Sequence, residues 1–193
     1  MTDEIRYPEP TPLQRVLRGR RSIRRFLPTP GEPEKLRACL EAARIAPSAH
    51  NAQPWRILVV DDPALKERLT AAAFSGFYSG SKFAAQAPII LALLARPSKT
   101  VARVGSRIQG IPFYLLDMGI AGEHIVLQAE ELGLATCWMG WFNYRRARKV
   151  LAVPRGFKLV ALMPLGYAAS RPQREPPRRA FEDIVAFNEA PRA

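Results

Sequence analysis

Apolar side chains recur along this sequence at the spacings of helices and strands. Intervals of three and four predict a helix from Pro33 to Ala46 and a longer one that ends at Gly133. The apolar face of the longer helix carries Met118, Ala121, Ile125 and Leu132. Apolar runs predict strands over residues 56–60, 88–94, 134–139 and 157–165. Shorter helices are predicted over 13–17, 62–74 and 144–151, with Asp62 and Asn143 as caps, and a short amphipathic element over 180–188.

The order of these elements leaves two arrangements open. Four strands interleaved with helices fit a doubly wound sheet, but a dinucleotide-binding sheet needs a Gly-rich turn directly after its first strand. Gly76 and Gly80 lie outside that context, in a predicted loop over 74–80. The basic, weakly patterned connection over 96–112 is a candidate for a mobile lid, and the sequence leaves this open. The sequence contains no internal repeat.

A loop after the first long helix concentrates polar groups between two prolines. It reads Pro47-Ser48-Ala49-His50-Asn51-Ala52-Gln53-Pro54-Trp55. The prolines restrict the backbone, the Ser, Asn and Gln side chains supply donors and acceptors, and the indole supplies a flat apolar surface. Such groups suit a planar heteroaromatic ligand. Taken alone, the segment equally fits a helix-to-strand turn with an ordinary buried Trp.

A second polar cluster lies upstream, from Arg20 to Phe26. In an extended conformation Arg20, Ser22 and Arg24 share one face, and guanidinium groups beside a hydroxyl suit a phosphate. An arginine run by itself is more typical of a solvated face or a nucleic-acid patch.

Together with a third segment, Gly133-Leu134-Ala135-Thr136-Cys137-Trp138-Met139-Gly140-Trp141-Phe142, the two clusters resemble the nitroreductase family of FMN-dependent oxidoreductases. The resemblance covers nearly the whole chain, from about Leu13 to about Asn188, with the three motifs in the family's order. It implies an α+β fold with a central mixed sheet flanked by helices, in a homodimer whose C-terminal arms embrace the partner. We therefore expect one FMN-binding domain over residues 1–193, with a flexible N-terminus over 1–12 and an arm over 171–193.

The resemblance also implies which residues hold FMN. The phosphate and the pyrimidine edge of the ring would be held by Arg20, Ser22 and Arg24, with Arg21 beside them. From the other subunit, the ring would be reached by Pro47, Ser48, Ala49 and Asn51. Gln53 and Trp55 would brace that loop. The stretch along the ring near N5 corresponds to Trp138, Met139, Gly140 and Trp141, where Gly140 lets the backbone approach closely.

The arm departs from the family pattern at one position. Arg178 resembles a phosphate-binding Arg of the arm, but Pro176 stands where a basic residue is common. Arg174 or Arg179 would compensate for it.

The chemistry implied by the resemblance is ping-pong hydride transfer. NADH or NADPH delivers hydride to flavin N5, and a flat electrophilic acceptor such as a nitroaromatic or a quinone then takes the electrons. The protein would supply binding and electrostatics, without a catalytic acid or base triad.

Composition narrows the setting. A chain of 193 residues with 48% hydrophobic residues supports one full core. Cys39 and Cys137 lie far apart, and the two histidines lack metal-ligand spacing, so we expect no metal and a reduced, cytoplasmic setting. The longest apolar run, over 87–95, is short of the roughly 20 residues that span a bilayer, so we expect a soluble protein.

The positive net charge leaves other classes of function open. The net charge of +12 attracts anions such as NADPH, phosphate or nucleic acid. A noncatalytic nucleic-acid-binding module is one alternative, although the aromatic residues are not interleaved with the basic runs as stacking platforms would be. A protein that sequesters flavin without turnover is another.

Overall fold

The computed structural model describes residues 9–97, 108 and 110–190. Its helices are α1 (Pro12–Gly19), α2 (Pro33–Arg44), α3 (Pro63–Ala73), α4 (Phe113–Glu131), α5 (Tyr144–Val150) and α6 (Phe181–Ile184). Its strands are β1 (Trp55–Val60), β2 (Ile89–Ala95), β3 (Ala135–Thr136) and β4 (Lys158–Gly166). None of the described helices is long and apolar enough to cross a membrane.

Local capping signals set the helix boundaries. The Asp62 carboxylate accepts a hydrogen bond from the Leu65 N–H at the start of α3, and the Asn143 side chain accepts one from the Arg146 N–H at the start of α5. Gly133 follows α4 in a left-handed conformation at φ 75°, which terminates the helix. These three predictions are confirmed.

All three ladders of the sheet are antiparallel. The strand order is β1-β2-β4-β3. The segment Arg20–Phe26 extends the sheet beyond β3, with Ser22 in a parallel bridge to Thr136 and Phe26 in an antiparallel bridge to Ala168. That bridge is the parallel component of the mixed sheet. The antiparallel pairing is incompatible with a doubly wound fold and confirms the α+β prediction.

The two faces of the sheet bury separate cores. Along β2, Leu91, Leu93 and Ala95 face one core, while Ile90, Ala92 and Leu94 face the other. Helices α2 and α4 cover the first core, and helices α3 and α5 cover the second. Because side chains alternate along a strand, a continuous apolar run supplies both faces.

Several predicted boundaries differ from the structure. The loop expected over 74–80 is a 3₁₀-helical segment, Gly76–Gln86. The strand expected over 134–139 pairs only at Ala135–Thr136 and again where Met139 bridges Leu162, because Pro164 in β4 lacks the N–H that would join the ladder between them.

At the N-terminus, Thr11 caps α1 with a reciprocal capping box to Gln14. Residues 1–8 lie outside the described residues. So does most of the candidate lid over 96–112, namely residues 98–107 and 109.

Candidate functional site

The extended segment Arg20–Phe26 turns its apolar side chains inward and its polar ones outward. Ile23 and Phe26 are 1% and 5% exposed and pack with Ala87 and Ala135. The Ile23 N–H donates to the Thr136 carbonyl at 3.0 Å, which ties the segment to β3. Two buried residues three positions apart leave both intervening arginines, Arg24 and Arg25, exposed. The expected strict alternation therefore ends at Arg24.

The outward face of this segment forms an open cavity with the chain that follows β4. The Ala169 N–H donates to the Arg25 carbonyl at 2.9 Å and holds the two segments together. The cavity has a volume of about 390 Å³. Its lining consists of Ser22, Arg24, Arg25, Ser170, Arg171 and Pro172. Three guanidinium groups and two hydroxyls form a donor set suited to a phosphate dianion.

Arg171 is positioned by a carboxylate of α4. Its Nη1 donates to both carboxylate oxygens of Glu130, at 2.7 and 2.9 Å. A guanidinium carries five N–H donors, so this pair orients the side chain and leaves donors for an anion.

Arg20 and Arg21 point to partners outside the cavity lining. The Arg20 Nε lies 4.0 Å from Glu123 Oε1 on α4. The Arg21 Nη2 donates to the Arg174 carbonyl at 2.9 Å. Alternation predicted that Arg20 shares a face with Ser22 and Arg24. In the structure Arg25 joins Ser22 and Arg24 in the cavity lining. Arg20 lies outside it, because a carboxylate of α4 is its partner.

The loop Pro47–Gln53 is fixed from beneath by a buried carboxylate. Asp117 on α4 is 4% exposed, and its Oδ1 accepts a hydrogen bond from the Ala49 N–H at 2.8 Å. Asp117 is thus the structural support of the loop, a role that the sequence did not indicate because Asp117 lies among the apolar residues of α4.

Three residues of the same loop have a strained backbone conformation. His50, Asn51 and Gln53 have φ values of 51°, 51° and 42°, in the left-handed region that non-Gly residues rarely adopt. Gln53 stabilises this conformation, since its N–H donates to Ser48 Oγ at 3.0 Å and its side-chain amide donates to Asn51 Oδ1 at 2.8 Å. Trp55 is buried in β1. Strain of this kind clusters at ligand sites.

The aromatic segment Trp138–Trp141 exposes two indole rings. The Trp138 ring packs on Gly122 of α4, and the Trp141 ring lies 5.3 Å from that of Tyr78. Gly140 is exposed. Met139, by contrast, is 4% exposed, and its N–H and carbonyl both pair with Leu162. Met139 therefore anchors the segment, and the surface available to a ligand is formed by its neighbours.

Helix α4 separates the loop from the cavity. Ala49 contacts Asp117 near the start of α4, while Arg171 contacts Glu130 near its end. Thirteen residues separate the two carboxylates, which corresponds to about 20 Å along a helix. Within one chain the structure thus does not bring the Asn51 loop to the cavity.

Comparison with known proteins decides the family. The model of the nitroreductase family matches residues 17–167. The chain belongs to the nitroreductase family. A relative from Thermus thermophilus named NADH dehydrogenase is 35% identical, covering 78% of this chain and 83% of its own length.

Two solved nitroreductase structures are similar in fold and sequence. A nitroreductase family protein from Clostridium novyi NT is 30% identical with a TM-score of 0.73, covering 86% of this chain and 89% of that one. An FMN-dependent nitroreductase from Clostridium difficile is 28% identical with a TM-score of 0.74, covering 90% and 98%. As a nitroreductase family member, the chain is an NAD(P)H-dependent oxidoreductase, which confirms the predicted enzyme class.

The arm of this nitroreductase family member lies on the surface. Residues 171–184 are exposed, including Arg178, which lies outside the cavity lining. Phe181, Ile184 and Phe187 are apolar and exposed as well.

The sequence did not indicate three of the residues that line the cavity, namely Arg25, Ser170 and Arg171. Strict alternation would place Arg25 opposite Arg24, whereas both arginines line the cavity. Arg171 is the first residue of the predicted arm, and its position beside Ser22 depends on the path of the chain after β4.

The histidine and cysteine side chains have structural surroundings. Burial raises the pKa of the Cys39 thiol to about 11 and also raises the pKa of Cys137. His124 Nδ1 lies 3.0 Å from the Ala42 carbonyl. In the part of the chain that the structure describes, no three His, Cys, Asp or Glu side chains are grouped to hold a metal ion.

Proposed function

We propose that this chain is an FMN-dependent oxidoreductase that passes hydride from NADH or NADPH through the flavin to a flat electrophilic acceptor by a ping-pong mechanism. The observation that carries the proposal is the cavity in which Ser22, Arg24, Arg25 and Arg171 converge. Its donor set fits the phosphate of FMN. Nitroaromatics and quinones are the proposed acceptors.

Bound FMN would supply hydride acceptance at N5 and electron transfer to the acceptor. The chain's own residues bind and orient it. Ser22, Arg24 and Arg171 hold the phosphate, while Arg20 and Arg21 add positive charge beside the ring's pyrimidine edge. Trp138, Gly140 and Trp141 offer the flat surface for the ring, and Met139 anchors that segment to β4. A positive field at the ring favours added electron density.

We further propose a homodimer in which each site uses both chains. The separation of about 20 Å along α4 keeps the Pro47, Ser48, Ala49 and Asn51 loop away from its own cavity. A partner would bring that loop to the ring. Leu115 and Leu116 on α4 are 43% and 54% exposed, as expected of an apolar face that a partner covers.

The arm over 171–193 is proposed to reach the partner and to place Arg178 near its phosphate. The exposed apolar side chains of α6 and Phe187 support this, since they find little cover on their own chain. The domain is proposed to be a single unit. Both cysteines are buried free thiols, which fits a reducing, cytoplasmic setting.

Flavin content and reduction test the function. Purified protein should be yellow, bind added FMN in a fluorescence titration, and lose its flavin absorbance when NADH or NADPH is added without oxygen. Colourless protein that fails to bind FMN would refute the proposal. Bound FMN that neither nucleotide bleaches would show sequestration without turnover.

A matched pair of variants places the phosphate. Arg24→Gln removes a cavity cation, whereas Arg68→Gln removes an exposed cation of α3. A charge-assisted hydrogen bond contributes about 1.5–3 kcal/mol, so Arg24→Gln should weaken FMN binding roughly tenfold to a hundredfold while Arg68→Gln leaves it unchanged. Equal FMN affinity in the two variants would show that the phosphate does not bind in this cavity.

A further inference from the structure

A basic segment follows the aromatic segment directly. Residues 143–158, with both ends included, carry six basic side chains and no acidic one. They are Arg145, Arg146, Arg148, Lys149, Arg155 and Lys158. In each of the four ion pairs found among the described residues, the cation lies outside this basic segment. The segment therefore retains a concentrated positive potential.

Three of these cations share a concave surface with an aromatic ring. The cavity has a volume of about 640 Å³. It is lined by Tyr144, Arg145, Arg148, Lys149, Ala152 and Val153. Positions four residues apart on α5 lie on the same helix face, which brings these side chains together. Tyr144 is 37% exposed. A phenol ring beside guanidinium and ammonium groups suits a nucleobase that carries a phosphate.

The cavity begins three residues after the last aromatic residue of the proposed ring-binding surface. Trp141 precedes Tyr144 by three residues and packs on Tyr78. The Arg146 Nη1 donates to Ser75 Oγ at 3.2 Å, so α5 is fastened to the same 3₁₀-helical region that contacts Trp141. Helix α5 then continues the chain for about 10 Å. One end of an extended ligand can thus lie at the aromatic segment and the other at the basic cavity.

We propose that this cavity binds the adenosine 2′-phosphate end of NADPH and makes NADPH the preferred reductant. This rests on the proposed function. NADPH differs from NADH only in that phosphate, which lies at the opposite end of the dinucleotide from the nicotinamide. Arginine near the adenosine ribose accommodates a 2′-phosphate, whereas a carboxylate there favours the free hydroxyl. Among the described residues, no acidic side chain lines this cavity.

The test compares two double variants that each remove two positive charges from the same segment. Arg145→Gln with Lys149→Gln alters the cavity, and Arg155→Gln with Lys158→Gln leaves its lining intact. Arg148 is kept because its Nη2 donates to the Pro154 carbonyl. We expect the cavity variant to lower kcat/KM for NADPH about 10- to 100-fold and to leave that for NADH unchanged. The control should keep the wild-type ratio of the two values.

A second measurement does not depend on turnover. Adenosine 2′,5′-bisphosphate and adenosine 5′-monophosphate are titrated into the FMN-treated protein by calorimetry at 0.15 M ionic strength, where exposed charges are screened beyond about 8 Å. The bisphosphate should bind more tightly, and only the cavity variant should lose the difference. Equal binding of the two nucleotides, or an equal loss in the control, overturns the proposal.

The outcomes separate this proposal from the proposed function. If NADH and NADPH bleach FMN in the wild-type protein with equal efficiency, the oxidoreductase function is supported. The proposal that the cavity selects NADPH is then refuted. Failure of both nucleotides to bleach FMN, with cavity-dependent binding of the bisphosphate, supports the cavity as a 2′-phosphate site and refutes the proposed redox function.

Discussion

Trp138 lies directly against Gly122. A Cβ built on Gly122 would stand 2.3 Å from Cη2 and Cζ2 of the indole, closer than nonbonded atoms approach. The glycine therefore lets the ring pack directly against the backbone of α4. The same helix positions the Pro47–Gln53 loop through Asp117 and Arg171 through Glu130. The Arg20 Nε of the arginine cluster lies 4.0 Å from Glu123 Oε1 on this helix, so α4 contacts all three sequence motifs.

Gly122→Ala should displace the Trp138 ring. Overpacking costs about 1–3 kcal/mol, and the displaced ring should also weaken FMN binding. Gly119→Ala is the matched control, because a Cβ there meets nothing within 4 Å and the helix gains roughly 0.5–1 kcal/mol. Urea unfolding and FMN titration of both variants check this. If Gly122→Ala is as stable as Gly119→Ala, the Trp138 ring is free to move aside.

Asp117→Ala should loosen the loop that begins at Pro47. It leaves the Ala49 N–H without its buried acceptor, which should cost about 1–3 kcal/mol of unfolding free energy. FMN affinity should fall as well if the loop reaches the flavin. Asp117→Asn keeps an oxygen acceptor and should restore much of both quantities. Equal FMN affinity in the wild-type protein and Asp117→Ala would show that loop order is not needed for binding.

Arg178→Ala tests the arm. If Arg178 reaches a phosphate, the variant should bind FMN roughly tenfold to a hundredfold more weakly. Single-turnover bleaching at saturating FMN should stay near normal, because the phosphate is remote from N5. Arg68→Ala, which removes an exposed cation of α3, is the control. Unchanged FMN affinity in Arg178→Ala would show that the arm does not hold the phosphate.

FMN occupancy and dimerisation should be linked. If Asn51 and Arg24 meet the same flavin from different chains, dilution into the monomer range should release FMN, and added FMN should favour the dimer by mass action. Sedimentation with absorbance detection at the flavin band measures both together. A monomer that retains stoichiometric FMN would contradict the shared site.

Stability should depend on pH through Glu32. The Tyr167 hydroxyl donates to Glu32 at 2.5 Å and accepts from Lys35 at 2.7 Å. These contacts, with the Tyr167 hydrogen bond as the largest cause, lower the pKa of Glu32 from 4.5 to about 2. A lowered carboxyl pKa stabilises the fold above the unfolded-state value of 4.5, and this contribution is lost as the pH falls through about 2.

Glu32→Gln should accordingly unfold at a lower temperature than the wild-type protein at about pH 6, with the difference shrinking between pH 4.5 and about 2. Tyr167→Phe removes the largest cause of the lowered pKa. In a Tyr167→Phe background, Glu32→Gln should therefore lower the unfolding temperature at about pH 6 by less than it does in the wild-type protein. Thermal unfolding across this pH range provides the measurement. A constant difference at every pH would exclude Glu32 as the titrating group.

Short-range signals account for most of the secondary structure. Asp62 and Asn143 begin their helices and Gly133 ends α4 as predicted, because capping depends on residues within one turn. The break in β3 was not predictable from its own sequence, since it depends on Pro164 of a strand that is distant in the chain.

Apolar periodicity and local capping signals predicted the helices and strands, because both depend on residues close together in the chain. The three motifs carried the resemblance to the nitroreductase family, and that resemblance implied the α+β fold. Which arginines share a cavity depends on how distant segments pack in the folded chain. Arg20 turns to Glu123, Arg21 to the Arg174 carbonyl, and Arg171 comes beside Ser22. Charged side chains are long and pair with whatever opposite charge the packing of distant segments brings within reach, so their partners are a property of the folded chain.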